Sequence, residues 1–312
     1  MMHWWTDRPE AMRGFVPPGA AWTAAQPDAA FAPIWQAVGG GSAAWRATGP
    51  ISGSAYPARA WVLIDTAEAS QFTGLNDALG RGARAPDGLV CIALTGRKFH
   101  GQHARPWQAE RGNLHLTAFY TLDLPVAALQ AGLTMAPAVA VARAIRALSE
   151  GRLAPRIKWV NDVLLEERKV AGVLTATAVQ GDCASHAVFG IGINVDCAPA
   201  LSPEACAPRA GALADADPAL RGALPRVLSA VVAALDDAVA QLRAGDATGL
   251  YAEYREALAY RGRRVRVLPL GADADPAAPL AEGVLEDVLP DLTLRLSSPG
   301  ARIDSGRLAL AT

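Results

Sequence analysis

Residues 157–178, IKWVNDVLLEERKVAGVLTATA, constrain this chain more than any other stretch. Two apolar runs flank the short polar insert LEERK, and FGIGINV follows at 189–195. The apolar runs read as buried strands and the insert as a tight turn between them. Lys158 and the pair Asn161–Asp162 then sit at the end of a strand, beside a hairpin. On that strand Lys158 points to one face, and its neighbours Ile157 and Trp159 point to the other. A half-desolvated ammonium needs an anionic partner, either an acid of the fold or a phosphate or carboxylate of a ligand. Residue types alone leave both open.

The segment KWVNDVLLEERKVAGVL, with GIGINV after it, resembles the catalytic core of the biotin protein ligase family. The family pattern is K-W-P-N-D, then (R/K)-K-x-(A/S)-G-(I/V)-L, then G-(I/A)-G-(I/V)-N-V. Val160 stands where the first motif has proline. The resemblance extends over residues 60–310 and is weakest at 65–106. It implies an α/β (α+β) fold, with a mixed sheet flanked by helices and a small SH3-like β-barrel at the C-terminus.

Composition fits such a fold. The 312 residues suffice for one large domain and a small one, and 51% are apolar. The net charge of −1 gives no electrostatic footprint for nucleic acid. No run of 18 apolar residues points to a membrane span, and MMHWWTDRPEAMRG is not built like a signal peptide. Cys91, Cys183, Cys197 and Cys206 lack CxxC spacing and fit reduced thiols of a cytoplasmic protein.

Three regions follow: an irregular extension (1–58), a catalytic domain (59–260) and an SH3-like module (261–312). The extension is rich in Pro, Gly, Ala and Trp, and shows no helix pair suited to DNA. AWVLIDTAEAS (60–70) reads as strand, turn and helix start, and strands are expected at 87–96, 113–122 and 188–196. A helix is expected at 133–151, and helical structure over 217–260. Short strands follow from 262 to 310, in RRVRVLPL, LAEGVLEDVLPDLTLRL and ARIDSGRLAL.

The resemblance implies a two-step reaction. A carboxylate attacks the α-phosphate of ATP, and a Lys of an acceptor carrier domain then attacks the acyl-adenylate. ATP, Mg²⁺ and biotin are the implied small molecules, and the pattern leaves room for a homodimer. Lys158 and Arg105 carry the implied catalytic charge. Asn161, Asp162 and Asn194 are placed at the nucleotide, with Asp162 on the metal side. Thr66, Gly101, Gln102, Trp107, Asn113, Ala171, Gly172, Gly190 and Gly192 are placed at the acid. The glycines permit close backbone approach, or simply close strand packing.

The chain departs from the family in TGRKFHGQHARPWQAERGNLHLT, residues 95–117. The family loop there reads G-R-G-R-x-G-R-x-W, because a basic, flexible loop must close over an anion. Here Phe99 and His100 replace the first Gly and Arg. Gln102 replaces the second Arg, and Ala104 replaces the last Gly. Upstream, Thr66-Ala67-Glu68 stands for Ser-Thr-Asn. Two alternatives to biotin ligation therefore stand: a ligase for another carboxylic acid such as lipoate or octanoate, and a binding protein without turnover. His100 and His103 have no evident third metal ligand.

Overall fold

The structure, a computed structural model, describes residues 2–12, 14–16, 20–49, 59–200, 208–270, 278–297 and 302–311. Cys206 lies outside them. The described residues of the N-terminal region, within 2–49, are not an irregular extension, which corrects the expectation there. They form β1 (Met2–Thr6), β2 (Thr23–Ala24), α1 (Ala32–Ala37) and β3 (Trp45–Gly49). β1 lies between β3 and β4 (Ala60–Ala67), antiparallel to the first and parallel to the second. The reason is composition: Trp4 and Trp5 alternate across β1 into two separate apolar clusters, so the strand is buried on both faces. Trp4 stacks on Trp61 with ring centroids 4.8 Å apart.

The chain continues through α2 (Gln71–Gly80), β5 (Leu89–Gly96), β6 (Leu114–Pro125), α3 (Val126–Leu129) and α4 (Gly132–Leu148). Then come β7 (Arg156–Lys158), β8 (Asp162–Leu165), β9 (Arg168–Gln180) and β10 (Cys183–Ile193). Ten strands form one mixed sheet in the order β2-β3-β1-β4-β5-β6-β10-β9-β8-β7. The expected LEERK turn is a two-residue hairpin loop. Glu166 and Glu167 take φ of 48° and 65°, the geometry that follows the twist of the flanking strands.

Helices cover both faces. Trp61 and Leu63 of β4 join the cluster that includes α4, α6 (Leu224–Arg243) and α7 (Ala247–Glu256); the short α5 (Leu213–Ala216) precedes α6. Val62 and Ile64 join the cluster under α1 and α2. The segment Val126–Leu148 is apolar and long enough to cross a membrane, but most of it is buried inside the protein. Pro137 interrupts the hydrogen bonding of α4, and the freed carbonyl of Leu133 accepts a hydrogen bond from the Thr175 hydroxyl of β9 at 3.1 Å.

The C-terminal strands β11 (Arg264–Leu268), β12 (Ala281–Val288), β13 (Leu294–Leu296) and β14 (Arg307–Leu310) form a separate antiparallel sheet in the order β13-β12-β11-β14. It is anchored through Asp287, whose side chain is 7% exposed and pairs with Arg255 of α7 at 2.5 Å and with Arg261. Burial by itself raises this carboxyl. Arg255, the Val288 amide and Arg261 outweigh it and hold the pKa at about 2. A depressed carboxylate pKa stabilises the fold above the unfolded value and loses that contribution as pH falls through the folded value. The anchor is therefore fully present above pH ~4 and contributes up to about 2 kcal/mol that is lost between about pH 4 and pH 2. Asp287→Asn should flatten the pH dependence of the denaturation midpoint in that window; an unchanged slope would contradict the assignment.

Candidate active site

Strand register builds the site. Lys158 of β7 pairs with Asp162 of β8, and Asp162 with Gly172 of β9. Gly172 pairs with Gly192 of β10, and Gly192 with His115 of β6. These five residues form one lateral row across five adjacent strands. With strands about 4.8 Å apart, the row runs on the order of 20 Å. One end carries charge, the middle is backbone alone, and the other end carries an imidazole.

At the charged end, Lys158 is 5% exposed and its Nζ lies 3.4 Å from Asp162 Oδ2. Lys169 Nζ lies 2.6 Å from Asp162 Oδ1. Burial pulls the Lys158 ammonium below its ordinary pKa; Asp162 opposes this, while Lys169 and Arg105 add to it. Burial would raise the Asp162 carboxyl, but Lys169 and Lys158 hold it below the usual carboxylate range. Two ammonium groups thus converge on one acid, and Arg105 adds its positive field at Lys158. This arrangement favours a further anion.

The middle of the row is covered by aromatic rings. A Cβ on Gly192 would lie 2.5 Å from the Trp107 indole, and one on Gly172 would lie 3.5 Å from it. A Cβ on Gly190 would lie 3.0 Å from Phe72 of α2. Glycine is required at 192, and little room is left at 190, because the rings lie directly on the backbone there. Lys169 Nζ stands 5.7 Å from the Trp107 ring centroid, within cation–π range.

At the far end His115 is 3% exposed. Its Nδ1 accepts from Trp107 Nε1 at 3.3 Å, and its Nε2 faces the Glu110 carbonyl at 3.1 Å. Burial pulls its pKa down to about 4, so the ring is neutral, as an accepting Nδ1 requires. Phe99 meets His115 edge-on and packs where a side chain on Gly96 would stand.

Other residues named from the sequence fall elsewhere. Ala171 is a correction: it is fully buried in the helix-side core, because alternation along β9 turns it away from Gly172. Asn113 is also a correction. Its Oδ1 accepts from the amides of Val195, Asp196 and Cys197, and its Nδ2 donates to the Cys197 carbonyl, so it braces two loops. Asn194 is 2% exposed; its Nδ2 donates to the Gly211 carbonyl at 2.9 Å, while its buried Oδ1 has no hydrogen-bond partner among the described residues. Asn161 donates to the Val173 carbonyl beside the row. Thr66, Gln102 and Arg105 are exposed, Gly101 is partly buried, and Gln102 is not drawn onto the row. Gly101 and Arg105 close a tight turn through a 2.8 Å backbone hydrogen bond.

Lys169, His115 and Phe72 were not singled out from the sequence. His115 and Thr117 alternate with apolar residues in NLHLT, which marks a polar face. Lys169 carries the opposite signal. Three positions from Gly172, it belongs on the other face by simple alternation, but a bulge at Val170 brings it back.

A divalent metal finds no ready site. Among the described residues no three His, Cys, Asp or Glu side chains converge, and the Asp162 carboxylate already holds two ammonium groups. These donors do not fit a protein-held Mg²⁺ ion.

The sequence profile of the Biotin/lipoate A/B protein ligase family matches residues 83–194. The biotin–[acetyl-CoA-carboxylase] ligase of Mycobacterium tuberculosis is 33% identical over 226 residues, 68% of this chain and 77% of that protein. The chain belongs to the biotin protein ligase family. The bifunctional ligase/repressor BirA of Escherichia coli is 34% identical over 119 residues, 38% of this chain; the match spans only 36% of BirA's own length. The biotin protein ligase of Aquifex aeolicus, solved with biotin and ATP, superposes with a TM-score of 0.58 at 22% identity, over 80% of this chain and 98% of that one. This family member therefore shares the fold of the Aquifex enzyme.

Proposed function

We propose that this protein is an ATP-dependent biotin ligase that forms biotinyl-adenylate and transfers biotin to a Lys of a carboxylase carrier domain. The row from His115 to Lys158 carries the reading. It joins a stretch of glycine backbone lined by aromatic rings to a buried pair of ammonium groups on one acid, with Arg105 nearby on the loop. Trp107 already lies on Gly192, so the acid's ring system displaces this indole to reach the floor, and its carboxylate then reaches Lys158 and Lys169.

In the first step a carboxylate oxygen bonds to the α-phosphorus of ATP and the bond to pyrophosphate breaks. Negative charge gathers on the α-phosphate, where the buried Lys158 and the neighbouring Lys169 and Arg105 stabilise it. Pairing with Asp162 keeps both ammonium groups charged and oriented before substrate arrives. In the second step the acceptor amine attacks the acyl carbon and AMP departs. The protein needs no nucleophile of its own.

Trp107 crowds the floor glycines, and Phe99 packs on Gly96 next to them. This observation favours a second reading in which another carboxylic acid replaces biotin. Pyrophosphate release with ATP and Mg²⁺, run in parallel with biotin, lipoate and octanoate, separates the two. Release with biotin is expected. Release only with another acid would replace the substrate, and release with none would remove the ligase reading in favour of a binding protein.

A further inference from the structure

We infer that Arg8 and Asp7 of the N-terminal segment, acting through Asp65, are positioning residues for the loop that closes the active site. The inference rests on the site proposed above but extends it to a region that the sequence reads as an irregular extension. Asp65 lies within β4, two residues before its end, and its side chain is 8% exposed. Arg8 reaches one of its oxygens at 2.7 Å, and Arg111 reaches the other at 2.7 Å. Asp7 Oδ1 accepts from the Asp65 amide at 3.0 Å.

Both ends of the loop at 97–109 are tied to this point. At the start, Thr66 and Ala67 of β4 pair with Thr95 and Gly96, and the Arg97 amide donates to the Ala67 carbonyl. At the exit, Gly96 bridges to Ala109, and Arg111 follows two residues later. The loop carries Phe99, Arg105 and Trp107, the groups that cover and charge the row. β1 fixes the other half of the latch, because its pairing with β4 runs up to Thr6 and Leu63. One buried carboxylate thus collects cations from the N-terminal segment and from the loop exit. Loss of either cation frees Asp65 to move away from the other.

Arg8 is half-exposed, so Arg8→Ala is expected to fold normally. Amide hydrogen exchange is measured over 97–109 in the wild type and in Arg8→Ala, Arg111→Ala, Asp65→Asn and Arg8→Lys. The first three should exchange about fivefold faster or more in the loop, and Arg8→Lys should exchange like the wild type. The same variants should raise the KM for the acid several-fold with little change in kcat. Loop exchange needs no substrate, so it reads the latch even if no acid supports pyrophosphate release. Unchanged loop exchange in Arg8→Ala and Arg111→Ala, with only a lower Tm, would reduce the cluster to a structural ion pair and overturn the inference.

Discussion

Lys158→Ala should abolish adenylate formation, with a loss of at least about a hundredfold in the rate of acid-dependent pyrophosphate release, while the protein stays folded. Both halves follow from the geometry. Lys158 is buried at the charged end of the row, where charge develops on the phosphate. In a dry site one preorganised cation contributes about 3–4 kcal/mol to the transition state. The fold survives because Asp162 keeps Lys169 at 2.6 Å, so removing Lys158 leaves no orphaned carboxylate. Lys158→Met fills the same space without charge and should be equally inactive. Near wild-type turnover in either variant would remove Lys158 from the mechanism. An unfolded Lys158→Met would instead make it a structural residue.

Asp236→Ala should be the most destabilising single substitution away from the site, costing about 3–5 kcal/mol. Arg59 is 1% exposed, and its Nη2 lies 2.5 Å from Asp236 Oδ1 on α6. Tyr120 of β6 donates to the same oxygen at 2.7 Å. Burial raises the Asp236 carboxyl above its ordinary pKa even with Arg59 beside it, so the surroundings are dry. Truncating the acid removes the acceptor that the buried Arg59 guanidinium and the Tyr120 hydroxyl share in that interior. Truncating both sides removes that penalty. The pair Arg59→Met with Asp236→Leu should therefore recover much of the loss. Denaturant unfolding checks both, and a shift below about 1 kcal/mol for Asp236→Ala would show that the pair is solvated.

The sequence exposed features that are local in the chain. Alternation and apolar runs located β4, β5, β6 and β10, and the LEERK turn. An Ala-rich stretch marked α4, and the spacing of KWVND, AGVL and GIGINV marked the family. Lys158 stood out because an ammonium between Ile157 and Trp159 has few other reasons to be there. Such signals depend only on neighbours a few residues away, whose side chains share a face or a turn.

Other features had no local signal. Arg59 and Asp236 are 177 residues apart and look like ordinary surface charges. The N-terminal strand was hidden among glycines and prolines, because its partners in β3 and β4 lie far along the chain. Simple alternation turns Ala171 away from Gly172, and the bulge at Val170 brings Lys169 onto the face that alternation denies it. Asn113 stands in a motif that resembles a binding motif, yet both ends of its side-chain amide are occupied by backbone groups. The row of Lys158, Asp162, Gly172, Gly192 and His115 is a product of register among five strands. Residue types and spacing set which strands and turns the chain can form. Register, bulges and long-range ion pairs arise only when distant segments pack, and they choose which of those residues face the same space.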